Sequence, residues 1–342
     1  MNYPKVSIIT PTFNLIKDGR KHLFIKCVNS VHSQTYKNIE HIVTDGDSSD
    51  GTIELLDEFA NKKWLKYYSK KDSGVDEAYN NGIAHSTGKY VAFMNSDDSY
   101  YDENAIENCV NALESNQADY CYGKEKQVTR TGRVARIFEP CMENFFKDVP
   151  YPHQTLVVRR DVLEKIGGYN TDCKYGGDVY LMLQLILNDY KGVYVDHFIS
   201  LYTLGGRSGQ SDDKKTLYQV YYVLGKRFLY LYKQFYPEIS LEEAQQIYFW
   251  GNSIKAYPPM FLEKLRTFMI EKDLKYFDYN KFIDFITSII NQKKHYLLTE
   301  KCCERKIYLF SCIPLLKIVQ KKNKKYVKLF NFIPLFKIKE KL

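Results

Sequence analysis

Tyr90-Val-Ala-Phe-Met-Asn95-Ser-Asp-Asp98 decides how this chain is read: five apolar residues run directly into an amide, a hydroxyl and two carboxylates. A short apolar run ended by turn-forming residues reads as a buried strand of a parallel sheet. Acids at the carboxyl end of such a strand face the crevice where open α/β sheets take their ligands. A carboxylate pair there commonly holds a divalent ion against substrate phosphates. Asp and Asn also end strands for purely local reasons, so the tetrapeptide gains its meaning from the segments around it.

Upstream, Lys5 to Thr10 is a second short strand, expected to end at Pro11. Lys21 to Gln34 follows as a helix with Leu23, Cys27, Ser30 and Val31 on one face. Ile39 to Thr44 is a strand closed by Asp45-Gly-Asp-Ser-Ser-Asp-Gly51, and Thr52 to Asn61 a helix with Asp50 as its cap. Leu65 to Ser69 is a third strand, and Val75 to Ser86 a helix that tolerates Gly82. Strands alternating with helices at this spacing imply βαβ units and a mostly parallel sheet.

Downstream the pattern loosens. Ala105 to Ser115 reads as a helix, and Ala118 to Tyr122 and Val134 to Phe138 as strands of a mixed sheet. His153 to Val158 is a further strand, followed by a helix capped near Asp161 and ended by Gly167-Gly168, then an apolar helix from Val179 to Asn188. From Asp212 to Leu298 the chain reads as helical with a break at Pro258-Pro259. The expected organisation is a catalytic domain over 1–210, a helical extension over 211–300 and a distinct tail over 301–342.

The tail carries the basic character. Of the net charge of +8, residues 301–342 contribute twelve Lys/Arg against two Glu, so the first 300 residues are close to neutral. That disfavours a nucleic-acid-binding body and points to an anionic surface met by the C-terminus. Leu309-Phe-Ser-Cys-Ile-Pro-Leu-Leu-Lys-Ile318 also matches Leu329-Phe-Asn-Phe-Ile-Pro-Leu-Phe-Lys-Ile338 at an offset of twenty. Two readings stand side by side: paired helices or hairpins packed on the domain, and interfacial contact with a membrane. No run of about 18 apolar residues is present. Eight cysteines form no Cys-x-x-Cys, and no leader-like segment precedes the first strand, so reduced thiols and a cytoplasmic setting are expected.

Taken together, Thr10-Pro-Thr-Phe-Asn14, Asp45-Gly-Asp-Ser-Ser-Asp-Gly-Thr52, Asp72-Ser-Gly-Val-Asp-Glu-Ala-Tyr-Asn80 and Asn95-Ser-Asp-Asp98 resemble the family 2 glycosyltransferases of the GT-A fold. The resemblance covers roughly residues 4–210, and its flavour is that of bacterial enzymes building capsule, lipopolysaccharide O-antigen or exopolysaccharide. It implies an α/β fold: a GT-A, Rossmann-like, mostly parallel central sheet flanked by helices, with a helical C-terminal extension. It also implies inverting transfer from a nucleotide-sugar, UDP-linked, to a glycan or polyprenyl-diphosphate-linked acceptor. Such an acceptor sits on the inner face of the cytoplasmic membrane, where the tail would dock peripherally.

The same resemblance suggests roles. The base of the nucleotide falls between the Pro11–Asn14 loop and Asp45, with Thr12 and Asn14 lining the pocket. Asp72 and Asp76 belong to a segment that closes over nucleotide and ribose, and Asn80 either reaches the diphosphate or caps locally. Asn95-Ser96-Asp97-Asp98 corresponds to the family's Asp-x-Asp metal motif, with Asn95 in place of the first acid. Asp97, Asp98 or both hold Mg²⁺ or Mn²⁺. Asp178 stands where the family places its general base, in Gly176-Gly-Asp178, although Tyr180 and Gln184 replace residues that relatives carry as acid and Arg. His153 and Gln154 resemble an element near donor sugar or acceptor, and Arg207, in Gly205-Gly-Arg-Ser208, would close on the diphosphate.

Competing assignments have testable signatures. A dinucleotide-binding enzyme should show Gly-x-Gly-x-x-Gly after the first strand, where Pro11-Thr-Phe-Asn14 stands instead. A processive synthase should carry transmembrane helices and a Gln-x-x-Arg-Trp-type motif, and neither is visible. A non-catalytic nucleotide-sugar- or carbohydrate-binding relative remains the alternative, because Asn95 and Tyr180 depart from the family pattern.

Overall fold

The first half of the chain alternates as its hydrophobic runs require: β1 (Val6–Thr12), α1 (Lys21–His32), β2 (Ile39–Asp45), α2 (Thr52–Asn61), β3 (Lys66–Ser69), α3 (Val75–His85) and β4 (Tyr90–Phe93). In this computed structural model the described residues are 3–173, 176–205, 225–250, 256–258 and 260–299, with the backbone of four strands between 304 and 338. β1 lies between β2 and β4 and runs parallel to both, and β3 extends the parallel set beyond β2. All of β1 except Pro11 and all of β4 are buried, as strands covered on both faces must be.

Two local features depart from expectation. β1 does not stop at Pro11 but continues to Thr12. Ile9 and Pro11 face the β4 side, shown by the Met94 N–H donating to the Ile9 carbonyl, and pairing with β4 ends at Ile9. The next rung of that parallel ladder would be the residue-11 N–H to the Met94 carbonyl, so proline's missing N–H ends the pairing with β4 while the pairing with β2 runs on to Thr12. Gly82, inside α3, is required rather than merely tolerated. A Cβ there would collide with the Ile9 side chain, so the missing methyl lets α3 settle directly on β1.

The second half adds β5 (Ser99–Tyr100), α4 (Ala105–Asn116), β6 (Tyr120–Val128), β7 (Val134–Phe138), β8 (Val157–Arg159), α5 (Arg160–Ile166), α6 (Gly177–Leu187) and β9 (Gly192–Thr203). The nine-stranded sheet has the order β3-β2-β1-β4-β8-β6-β9-β5, with β7 paired to β6. β8 is antiparallel to β4 and β6, whereas β9 runs parallel to β6. The strand expected from His153 begins only at Val157, because His153–Thr155 forms a 3₁₀ turn. Asp161 is not the cap of α5: Arg159 occupies that position, and Asp161 in the first turn pairs with Arg159 and Lys165. Gly167, at φ 80°, ends the helix as expected.

The chain divides into two units, Met1–Val223 with Lys272–Phe277, and Leu224–Glu271 with Asp278–Leu342. The second contains α7 (Leu229–Phe235), α8 (Leu241–Trp250), α9 (Phe261–Lys272) and α10 (Tyr279–Thr299). Its core is aromatic: Tyr232 and Phe235 both meet Phe261 edge-on, with ring centroids 5.1 Å apart. No helix among the described residues is long and apolar enough to cross a membrane.

The twenty-residue repeat is a structural repeat. β10 (Glu304–Leu309) pairs antiparallel with β11 (Ile313–Lys321), and β12 (Lys324–Leu329) with β13 (Ile333–Ile338). Each copy is one hairpin, and each breaks register at the same point, between Ile307 and Tyr308 and between Val327 and Lys328. β11 also pairs with β12, joining the hairpins into a four-stranded sheet.

Candidate active site

The carboxyl ends of β1, β2 and β3 bring Thr12, Asp45 and Ser69 into one cross-strand row. Asp45 is buried, and its carboxylate accepts from Thr12 Oγ1 (3.0 Å), Ser48 Oγ (2.6 Å), Ser48 N (2.9 Å) and Ser69 Oγ (2.8 Å). These fill about four lone-pair directions, the capacity of a carboxylate. The loops after β1 and β2 are stitched to each other as well. Asn14 N donates to Ser48 Oγ, Ser49 N to Asn14 Oδ1, Leu15 N to Thr52 Oγ1 and Lys17 N to Asp50 Oδ2. Asn14 adopts φ 47°, a left-handed conformation that Asn tolerates. Asp50 also accepts from Thr52 N and Oγ1, one position ahead of the Gly51 cap, so it fastens the start of α2 to the loop after β1. Gly46 leaves its missing Cβ facing the half-exposed Phe13 ring and Asp72 Oδ2, at 3.2 and 3.0 Å. Asp72 Oδ1 accepts the Gly74 N–H at 3.0 Å.

The turn after β4 separates its two carboxylates. Asp98 is buried and knitted in, taking Asn95 Nδ2 (3.0 Å) and Gln154 Nε2 (3.0 Å) on one oxygen and Thr203 N (2.7 Å) on the other. Burial, and then the charge of Asp97, push its proton affinity well above the usual carboxylate range. Asp97 is half-buried and, among the described residues, its carboxylate bonds only its own backbone N–H. Burial raises its pKa, and the nearby guanidinium groups of Arg20 and Arg130 oppose that rise. Asn95 uses both ends of its amide, accepting from Tyr79 Oη at 2.8 Å while donating to Asp98. A carboxylate at 95 could not donate that second bond. The departure from two acids is thus locally self-consistent.

Tyr79 joins this turn to the other half of the site. Buried on α3, it stacks on Tyr169 at 5.0 Å and meets Phe93 and His153 edge-on, each at 5.3 Å. Burial drives its phenol far above its ordinary value, and the charges of Asp98, Asp97 and Asp178 add to the effect. His153 Nε2 lies 2.5 Å from Tyr169 Oη, and burial holds the imidazole neutral by lowering its pKa. Asp178 sits in the first turn of α6, partly exposed, with Val179 N as its one hydrogen-bond donor among the described residues. Asp76 packs so closely on Gly177 that any Cβ there would strike its carboxylate, which brings Asp76 beside Asp178.

Of the residues singled out from sequence, Pro11, Thr12, Asn14, Asp45 and Asp72 gather around the first three strand ends, and Asn95, Ser96, Asp97, Asp98 and Gln154 around the β4 turn. Asp76, His153 and Asp178 lie near the start of α6. Asn80 is spent on structure, since its amide bonds both the N–H and the carbonyl of Tyr169 at 2.8 Å. Arg207 lies outside the described residues. The sequence reading missed Arg20, Arg130 and Tyr79. Arg20 binds Phe13 O and Ser96 Oγ, and Arg130 binds Gly205 O. An Arg seven residues past Phe13 was the available signal for the first.

A divalent ion suits this chemistry. The described residues contain no group of three His, Cys, Asp or Glu positioned to hold a metal. Mg²⁺-type ions, however, need only one or two carboxylates beside substrate phosphates. Asp97, with no competing side-chain donor among the described residues, fits that requirement.

Comparison with known proteins identifies the family. Residues 7–167 match the model of glycosyl transferase family 2. An uncharacterised glycosyltransferase of Mycobacterium tuberculosis is 31% identical over 190 residues, 54% of this chain and 70% of that protein. The chain belongs to glycosyltransferase family 2. Another relative, the Escherichia coli UDP-Glc:α-D-GlcNAc-diphosphoundecaprenol β-1,3-glucosyltransferase WfgD, is 26% identical over 64% of this chain and 85% of its own. The chain spans only about a fifth of the length of the Rickettsia glycosyltransferases it matches at 32–33% identity. Staphylococcus aureus TarS 1–349 in complex with UDP-GlcNAc superposes with a TM-score of 0.54 at 17% identity, covering 98% of this chain and 99% of that one. A Pyrobaculum calidifontis mannosyltransferase in complex with GDP-Man and Mn²⁺ superposes with a TM-score of 0.51 at 16% identity, over 88% of this chain and 82% of that one. The family 2 fold, α/β of GT-A type with a helical C-terminal region, is the fold expected from the motifs.

Proposed function

We propose that this family 2 member is a metal-dependent, inverting glycosyltransferase that moves a sugar from a UDP-linked donor to a glycan or polyprenyl-diphosphate-linked hydroxyl in bacterial surface polysaccharide synthesis. The observation that carries the proposal is the pairing of two underused carboxylates, Asp97 and Asp178, around the Tyr79 aromatic cluster, beside a rigid shelf at the ends of β1–β3. The exposed Phe13 ring offers that shelf a flat face for a nucleobase, and Gly46, with no Cβ, lets Phe13 and Asp72 pack closely beside it. Asp45 sets the shelf, and contact with a base N–H requires one of its four donors to share. The names of WfgD and of the TarS complex support the choice of UDP and of a lipid-linked acceptor.

In the proposed reaction the acceptor hydroxyl oxygen attacks the anomeric carbon as the bond to the diphosphate oxygen breaks. Asp178 takes the hydroxyl proton, and the nucleoside diphosphate leaves on the opposite face, inverting the centre. A divalent ion at Asp97, Mg²⁺ or Mn²⁺, supplies charge stabilisation to the leaving diphosphate. Tyr79, Phe93, Tyr169 and His153 are buried against one another, so their role in this reading is to brace the turn of Asp97 and the start of α6 rather than to meet the sugar. Incubation with a panel of nucleotide-sugars should release nucleoside diphosphate from one of them, and a UDP-α-sugar should give a β-linked product. Release from none, with acceptor supplied, removes the assignment in favour of a binding protein.

The tail belongs to the same proposal, as the contact with an anionic lipid surface on the cytoplasmic side. The pairing Lys306–Lys317–Lys328 puts three lysines in one row across three strands. Like charges side by side are unfavourable unless an anion runs along them. That lysine row is the feature assigned to lipid headgroups. Truncation of residues 301–342 should abolish flotation with anionic liposomes, and retention of binding would leave the tail a packing element.

A further inference from the structure

We propose that Arg20 is a positioning residue that binds the donor's diphosphate and couples nucleotide recognition to the metal turn. The inference rests on the nucleotide-sugar reading above and adds to it a residue that no motif marks. Arg20 is the residue preceding α1, its side chain 18% exposed. One terminal nitrogen donates to Phe13 O at 2.8 Å and to Asp18 Oδ2 at 2.9 Å, and the other reaches Ser96 Oγ at 3.3 Å. One guanidinium thus spans the shelf loop, at Phe13, and the turn that carries Asp97. Ser96, its partner in that turn, immediately precedes Asp97 in the chain.

Position and chemistry agree. The diphosphate of a bound nucleotide must pass from the base shelf to the ion at Asp97, and Arg20 stands between the two. Three of its five N–H groups are engaged among the described residues, which leaves about two for oxygen ligands. A planar guanidinium is suited to paired phosphate oxygens where an ammonium is not. Its backbone is fixed too, with Arg20 N donating to Leu15 O at 2.8 Å and Arg20 O accepting from Phe24 N at 3.0 Å. Asp18 restrains the side chain without burying it, so the fork is held in place before a ligand arrives.

The test measures binding of UDP and of uridine, each with Mn²⁺, by calorimetry on the full chain. Arg20→Ala should weaken UDP at least tenfold and leave uridine within a factor of two. Arg20→Lys should recover only part of the loss. Equal UDP affinity in wild type and Arg20→Ala overturns the inference while leaving the nucleotide-sugar reading intact. Equal loss of uridine and UDP overturns it as well, by showing that Arg20 only shapes the Phe13 loop. Absence of UDP binding in the wild type overturns the parent reading instead.

Discussion

At the ends of β1 and β2 nearly every polar side chain is committed to another part of the protein, whereas after β4 and at the start of α6 two carboxylates are held back. Asp45 takes four donors from three segments, and the loops around it bond each other at every turn. Asp97 and Asp178 also lie at a strand end and a helix start but make almost no bonds to other residues among those described. On the proposed function, the first region is the recognition surface and the second supplies the groups for ligand and proton. The contrast also divides adjacent residues, because Asp98 belongs with the committed set and Asp97 with the available one.

The largest effect should come from Asp178. Asp178→Asn keeps the shape and removes the basicity, so transfer should fall by about 10²–10⁴-fold, with UDP affinity and melting temperature unchanged. Near-normal turnover in that variant would mean the proton goes elsewhere.

Asp98 breaks the comparison from the opposite side. Asp98→Ala leaves the Asn95 and Gln154 amides and the Thr203 N–H unpaired in a buried site. A cost of ~2–4 kcal/mol is expected, read as a melting-temperature loss of roughly 5–10 °C for a unit of this size. Unchanged stability would place Asp98 among the available carboxylates after all.

A smaller effect concerns Glu125, buried on β6, where it accepts from Ser200 Oγ and Gln127 Nε2. Burial pushes its pKa up to about 7, above its unfolded value. Folding therefore favours the protonated acid, and that stabilisation, full at low pH, is lost as pH rises through about 7. Melting curves between pH 5 and pH 8 should show a shallower decline for Glu125→Gln than for wild type. Parallel curves would show that the carboxyl reaches solvent.

The parallel half of the fold was legible because its strands are short apolar runs and its helices carry clear punctuation. β9 was not, since Asp196 and His197 interrupt its apolar pattern and register shifts accompany its pairing with β6. Two-residue β5 is too short for any periodicity to reveal. The motif carboxylates could be placed from the sequence, but Asp97 and Asp98 could not be told apart. Their difference depends on Gln154 and Thr203, which the fold brings in from 56 and 105 residues away. Arg20 was hidden for the same reason, because its partner Ser96 is 76 residues distant.

Asp97 tests the account most directly. Nucleoside diphosphate release from the preferred UDP-sugar, with acceptor present, should vanish in EDTA and return on addition of Mn²⁺ or Mg²⁺. Asp97→Asn should abolish that metal-restored release while melting no lower than wild type, because it removes a partly buried charge and no bond to another described residue. Full release by Asp97→Asn, or by wild type in EDTA, would contradict the account.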